Sequence, residues 1–207
     1  MPQSHYFTDD PGLPDDPRGF TYYYKEHALR LTTNSGVFSH GHVDEATDLL
    51  LKAMPAPQGE TLLDLGCGCG VIGIAMAKAY GLLVTLADVN PRALDCARQG
   101  CRENGVEAKI VLSDGFEAIP GRFDAITLNP PIHAGKEVVT RMFEGAAQHL
   151  QPGGGFFVVM LDKHGAKNAA AQLAGLFGDC EVLYKKKGYR VFRAFQAGFQ
   201  DASKKNA

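Results

Sequence analysis

The sequence lacks any apolar run approaching the roughly 18–20 residues that a membrane-spanning helix needs. Its beginning, Met1 to Asp10, is polar and acidic rather than basic and then apolar. A membrane anchor and a secretory signal are therefore not expected, and the expected compartment is cytoplasmic. Cysteine is sparse and, at five, odd in number. Cys67 and Cys69 stand in a glycine loop, Cys96 and Cys101 on an expected helix, and Cys180 alone. That is neither a disulfide framework nor the paired spacing of a zinc site. Reduced thiols that pack, with no metal, are expected. Net charge is nearly absent too, at −2, which excludes a protein that coats nucleic acid non-specifically. Internal repeats are missing as well.

What charge there is lies unevenly. The first twenty residues carry Asp9, Asp10, Asp15 and Asp16 against Arg18. From residue 181 onward, Lys185, Lys186, Lys187, Arg190, Arg193, Lys204 and Lys205 face Glu181 and Asp201. A basic end of this kind either holds phosphates locally or is a solvated tail and strand edge.

The 207 residues, 45% hydrophobic and 21% charged, suffice for one domain with a full core. Residues 1–19 hold four prolines and four aspartates without periodicity, which predicts an irregular arm. Residues 20–58 read as an extension of the domain. Two β-prone runs over 20–33 suggest a hairpin about Lys25, and a helical face over 43–54 closes at Pro55 and Pro57. Over 59–198 the pattern alternates, and 199–207 is a tail. Strands are expected at 61–65, 83–87, 109–112, 124–128, 156–161, 181–185 and 189–195. Helices are expected at 71–80, 91–104, 136–150 and 166–177, with a break at 151–155. Alternation of this kind predicts an α/β fold with a largely parallel sheet. In such a sheet ligands bind at the carboxyl ends of the strands, so residues of unusual chemistry should follow strands.

Four clusters do. The first is Asp64-Leu65-Gly66-Cys67-Gly68-Cys69-Gly70, where glycines at a strand-to-helix turn let backbone approach a ligand. Gly68-x-Gly70-x-x-Gly73 with Asp88 downstream also fits a dinucleotide fingerprint. Asp64 favours another ligand, because a carboxylate just before the glycines repels a pyrophosphate and attracts an ammonium and a sulfonium. S-adenosylmethionine carries both cations and no phosphate. The second cluster is Asp88-Val89-Asn90, whose acid can accept from two ribose hydroxyls. The third is Ser113-Asp114-Gly115-Phe116: Asp114 either accepts from an adenine amine, with Phe116 or a neighbour on the ring, or caps a helix.

The fourth cluster, Asn129-Pro130-Pro131-Ile132-His133, follows the 124–128 run. Two prolines stiffen the chain and remove two donors, leaving carbonyls free to turn inward. The Asn129 oxygen and the Pro130 carbonyl can then accept both hydrogens of a planar amino group. The nitrogen lone pair of such an amine is delocalised and weakly nucleophilic. Two acceptors favour a pyramidal nitrogen and stabilise charge as it attacks a methyl group.

Together these segments resemble class I S-adenosylmethionine-dependent methyltransferases that modify amines. More narrowly, Gly36-Val37-Phe38-Ser39, the run from Asn129 to Lys136, and Lys187-Gly188-Tyr189-Arg190-Val191 resemble the methyltransferase-small domain family, which includes small-subunit ribosomal RNA guanine-N2 methyltransferases. The likeness runs from about residue 5, in His5-Tyr6-Phe7, to residue 196. It implies a Rossmann-like, seven-stranded, mostly parallel sheet with helices on both faces and an antiparallel last strand. It also implies S-adenosylmethionine as cofactor, S-adenosylhomocysteine as product, and ribosomal RNA or the small ribosomal subunit as partner. The expected cofactor contacts are Asp64, Gly66, Cys67, Gly68, Gly70, Asp88, Val89, Asn90, Ser113, Asp114, Gly115 and Asn129. Asn129, Pro130, Pro131 and Ile132 are the expected catalytic turn.

Two features depart from the pattern. Ile132 stands where many amine methyltransferases have an aromatic ring, so a base platform must come from elsewhere, with Phe38 and the tyrosines at 22–24 as candidates. Two-domain members also carry an additional amino-terminal half, and no counterpart of it is expected here. His133 and Lys136 are either substrate contacts or ordinary residues opening a helix, and Phe38 is either platform or core. Adenine-N6 or a protein glutamine is an alternative substrate. A nicotinamide-dependent oxidoreductase and a non-catalytic RNA-binding protein are alternatives of other classes.

Overall fold

The computed structural model describes residues 12–131 and 135–196. An antiparallel hairpin comes first, β1 (Arg18–Tyr24) and β2 (His27–Thr33), in the register Phe20↔Leu31. Its first strand begins inside the stretch whose composition predicts an arm. Residues just before it are tied down: the Asp16 backbone N–H donates to Asn34 Oδ1 at 2.9 Å, and Arg92 donates to the Leu13 carbonyl at 3.0 Å. Helix α1 (Glu45–Ala53) starts later than periodicity suggests, because Asp44 is its N-cap and accepts from the backbone of Ala46 and Thr47.

Strands and helices then alternate: β3 (Thr61–Leu65), α2 (Val71–Tyr80), β4 (Leu83–Asp88), α3 (Pro91–Asn104), β5 (Ala108–Leu112) and β6 (Phe123–Leu128). After these come α4 (Lys136–His149), β7 (Leu150–Leu161), α5 (Ala166–Phe177), β8 (Gly178–Lys186) and β9 (Tyr189–Gln196). Asn90 caps α3 and Pro91 occupies its first turn, where a missing N–H costs nothing. Among the described residues one sheet runs in the order β5-β4-β3-β6-β7-β9-β8, parallel except for β9, which is antiparallel to β7 and β8. This is the Rossmann-like arrangement. Strand β7 starts earlier than 156. Leu150 already pairs with Phe123 and Gly155 with Ala125, so residues 151–154 form a bulge rather than a break.

Side chains alternate across the sheet as the two-residue period of a strand demands. Leu62, Leu86, Ala125, Phe157 and Val159 face α1, α2, α3 and the hairpin, whose Leu29 and Leu31 are fully buried. Leu63, Leu65, Ile126, Phe156, Val158 and Phe192 face α4 and α5. Burying both faces holds the central strands rigid.

Candidate active site

Four segments reach the same end of the sheet. Residues 66–70 follow β3, 88–90 close β4, 113–115 follow β5 and 129–131 follow β6. The registers Leu65↔Ala87, Leu65↔Leu128 and Asp88↔Leu112 set them side by side. From β3 the chain winds to β4 and β5 on one side and to β6 and β7 on the other. The crevice at that switch point is where open parallel sheets hold ligands.

The glycine loop is a cradle. Gly66, Gly68 and Gly70 have φ of 66°, 54° and 83°, left-handed backbone that a side chain disfavours. A Cβ built at Gly66 or Gly68 would meet nothing within 4 Å, so this backbone faces open space. Gly73 differs. A Cβ there would overlap Leu86 Cδ2, so that glycine serves helix-to-sheet packing. Cys67 and Cys69 are buried, and burial pushes the Cys69 thiol up to about 12 and the Cys67 thiol well above its ordinary value.

Two carboxylates hold the cradle from below and from the side. Asp64 is 1% exposed. Its Oδ2 accepts from the Gly73 N–H at 3.0 Å and its Oδ1 from the Thr127 hydroxyl at 3.0 Å. It therefore braces β3, α2 and β6 beneath the loop and does not open onto the crevice as the sequence position suggests. Burial pushes its carboxyl up to about 7, against those two hydrogen bonds and with the Asp88 charge adding to the rise. Asp88 is partly exposed. It accepts from the Gly68 N–H at 2.8 Å and from the Asn90 N–H at 2.9 Å, one on each oxygen. The carboxylate keeps acceptor capacity for a further donor. Burial raises this carboxyl as well, opposed by hydrogen bonds from Asn90, Gly68 and Val89.

Beside Asp88, Val89 is 39% exposed, an apolar surface at the mouth. Asn90 is buried and engaged at both ends of its amide: Oδ1 caps α3 through the Arg92 N–H at 3.0 Å, and Nδ2 donates to the Gly36 carbonyl at 2.8 Å. Its side chain thereby anchors the 36–39 segment, where Phe38 stands 48% exposed and so does not join the core. Ser113 is buried and shapes its turn, donating to the Gly115 carbonyl and accepting from the Ala118 N–H. Asp114 is exposed, and a turn rather than a helix follows it, so the helix-cap reading does not hold. Phe116 stacks on His149 at 4.6 Å with its ring against Gly145, which turns it into α4 and away from any ligand ring. Of the tyrosines, Tyr22 donates to Asp48 at 2.9 Å and Tyr24 is buried, whereas Tyr23 is 74% exposed.

Asn129 carries an arrangement that sequence reasoning missed. Its Nδ2 donates to Thr47 Oγ1 at 3.0 Å and toward the Asp44 carboxylate at 3.3 and 3.5 Å. Both groups belong to the start of α1. Acceptors on that side fix the amide nitrogen toward the helix, so Oδ1 faces the other way, beside the buried Pro130. Asp44 is marked in the sequence only as an acid ahead of a helix, and its distance of 85 positions from Asn129 hides the link. Pro131 is partly buried, and Lys136 is the exposed first residue of α4. Ile132 and His133, like His5-Tyr6-Phe7, Lys204 and Lys205, lie outside the described residues.

Over residues 28–193 the sequence matches the model of the methyltransferase small domain. The chain belongs to that family. The nicotinamide oxidoreductase alternative falls with this match. Among relatives of this methyltransferase small domain, the Bacillus subtilis protein YbxB, named uncharacterized, is 35% identical over 195 residues, spanning 92% of this chain and 97% of that one. A protein named ribosomal RNA small subunit methyltransferase C, from Stutzerimonas stutzeri, is 33% identical over 193 residues. That alignment spans 89% of this chain and 56% of the relative. A solved T. Thermophilus 16S rRNA N2 methyltransferase, in complex with AdoMet and guanosine, superposes with a TM-score of 0.80 at 30% identity. It is covered over 53% of its chain, by 91% of this one. This methyltransferase small domain thus spans about half the length of those ribosomal RNA enzymes.

Proposed function

We propose that this chain is a cytoplasmic S-adenosylmethionine-dependent methyltransferase acting on an exocyclic amine, guanine-N2 of ribosomal RNA. The observation that carries the chemistry is the Asn129 amide, whose nitrogen is held by Thr47 and Asp44 so that its oxygen is left as an acceptor. The guanine and ribosomal RNA part rests on relatives that share half their length with this chain and on a structural neighbour bound to guanosine.

The residues present fit S-adenosylmethionine. The open, left-handed backbone at Gly66 and Gly68 leaves room for an amino-acid moiety without any side chain to displace. Asp88 retains acceptor capacity for a ribose hydroxyl, Val89 offers apolar surface for an adenine, and the exposed Asp114 carboxylate offers an acceptor for its amine. When bound, the cofactor supplies a methyl group on a sulfonium, and transfer leaves S-adenosylhomocysteine.

The protein's part is to present the amine. Asn129 Oδ1 and the Pro130 carbonyl accept its two hydrogens, aim its lone pair at the methyl carbon and stabilise the positive charge that grows on nitrogen. The bound cofactor would give up its methyl to this nitrogen, the C–S electrons staying on sulfur, and the extra proton would leave the acidic ammonium for water. A strong base is not required. Phe38, exposed near the loop, is the candidate surface for the base.

The test is ligand-dependent melting combined with methyl transfer. Stabilisation by S-adenosylhomocysteine but not by a nicotinamide dinucleotide, with labelled methyl entering ribosomal RNA, is expected. Label entering a protein glutamine, or no stabilisation, contradicts the reading.

A further inference from the structure

The crevice is divided by charge. Its β3-β4-β5 half presents Asp88 and Asp114 at the carboxyl ends of the strands. Its other half, past β6, carries cations alongside the Asp44, Glu45 and Glu137 carboxylates at the starts of α1 and α4. Strand β9 opens at Tyr189 opposite Leu161, the carboxyl end of β7, and Lys186 at the end of β8 pairs with Tyr189. The β8–β9 turn, Lys187-Gly188 with φ of 49° and 81°, therefore projects from the same sheet end as Asn129. The turn after β7 joins it there, because the Asp162 N–H donates to the Gly188 carbonyl at 2.7 Å. This brings exposed Lys163, Lys185 and Lys186 together with Lys187, which pairs with Glu45 at 2.9 Å beside Asp44.

Most other cations of this region are neutralised: Arg190 pairs with Asp162 and Arg193 with Glu181. Lys163, Lys185 and Lys186 have no ion pair among the described residues. Lys136 has none there either, and it opens α4, where a cation opposes the helix dipole and folding alone would favour an acid. Neighbouring strands lie about 4.8 Å apart, so β9 and β8 stand roughly 10 and 14 Å from β6. That is within reach of the phosphates flanking a base held at Asn129. A chain with net charge −2 has no general reason to gather bare lysines at one edge of its crevice.

We propose that Lys136, Lys163, Lys185 and Lys186 form a phosphate-gripping rim that docks the RNA strand on either side of the target nucleotide. The cofactor's cationic groups and the substrate's anions thus meet opposite halves of one crevice. Docking on this rim is sequence-independent and sets affinity, whereas the crevice at Asn129 selects the amine. The proposal rests on the reading above for its choice of RNA, but its test needs no turnover.

The experiment measures binding of fluorescein-labelled small-subunit ribosomal RNA to the full chain, in S-adenosylhomocysteine, across a salt series. Wild type is compared with a Lys163→Glu, Lys185→Glu, Lys186→Glu variant and with Lys78→Glu, Lys109→Glu, which makes the same kind of change on exposed positions away from the crevice. The rim variant should bind about tenfold or more weakly, and the salt slope should fall by roughly 0.7–0.9 for each phosphate that a lysine no longer neutralises. Its melting temperature and S-adenosylhomocysteine affinity should be unchanged, and the control should bind like wild type. Equal RNA affinity and salt slope in the rim variant would overturn the proposal, as would an equal weakening in the control. RNA bound through the rim without any methylation would leave this proposal standing and sink the functional reading instead.

Discussion

The link between Asn129 and the start of α1 predicts that two residues outside the crevice control turnover. Thr47→Val removes one acceptor of the Asn129 amide nitrogen while keeping the shape of the side chain. Asp44→Ser keeps a good helix cap but withdraws the carboxylate from Asn129. A neutral hydrogen bond contributes about 0.5–1.5 kcal/mol, and one to a charged group about 1.5–3 kcal/mol. If the amide loses its orientation by those amounts, kcat should fall roughly 2- to 12-fold for Thr47→Val and 12- to 160-fold for Asp44→Ser. Single-turnover methyl transfer with saturating RNA reads this directly. Cofactor affinity, measured by calorimetry, should not move, and melting should stay close to wild type because the cap survives. In an Asn129→Ala background neither substitution should matter further, since the group they orient is gone. Full activity in both single variants, or equal effects with and without Asn129, would refute the orienting role.

Further outcomes follow from other parts of the crevice. Asp88→Ala should weaken S-adenosylhomocysteine binding by about 2–4 kcal/mol, roughly 30- to 1,000-fold, through loss of two charge-assisted hydrogen bonds; unchanged calorimetric affinity would remove Asp88 from the ribose contact. Asp64, with its folded carboxyl raised to about 7, holds a proton between about pH 4 and 7 that the unfolded chain lacks. Its contribution to stability therefore declines as pH rises through that window. The melting advantage of wild type over Asp64→Asn should shrink between about pH 5 and pH 7.5, and a constant gap would contradict the assignment. Gly73→Ala should destabilise by about 1–3 kcal/mol in urea unfolding, because the added methyl overlaps Leu86; a neutral effect would mean that the packing there is looser than the geometry shows.

Much of this molecule is legible in its sequence, for identifiable reasons. The 71–80 and 91–104 helices are bounded by Gly70, Gly81, Pro91 and Gly105, residues whose backbone restrictions act locally, and their bounds match the structure. The four turns at this end of the sheet are equally visible, because unusual residues fall immediately after short apolar runs. Contacts across the sheet end are not visible. Nothing in the order of residues shows that Asp44 and Thr47 meet Asn129, that Thr127 reaches Asp64, or that His149 takes the face of Phe116. The early start of β7 is hidden for a related reason. Leu150 pairs with Phe123 although a proline and glycines follow it, and a bulge absorbs them. Asp64 shows the limit most clearly. Its position before the glycines suggests a ligand contact, whereas its depth assigns it to the support of the loop.

The most direct measurement of the central claim is the identity of the methylated nucleoside. Small-subunit ribosomal RNA and intact subunits would be incubated with labelled S-adenosylmethionine and either wild type or Asn129→Ala, then digested and resolved by mass spectrometry. The account predicts N2-methylguanosine from wild type and almost none from Asn129→Ala, although that variant still binds cofactor. Label on adenine-N6 would keep the amine chemistry and contradict the guanine assignment. Equal N2-methylguanosine from both proteins would contradict the mechanism itself.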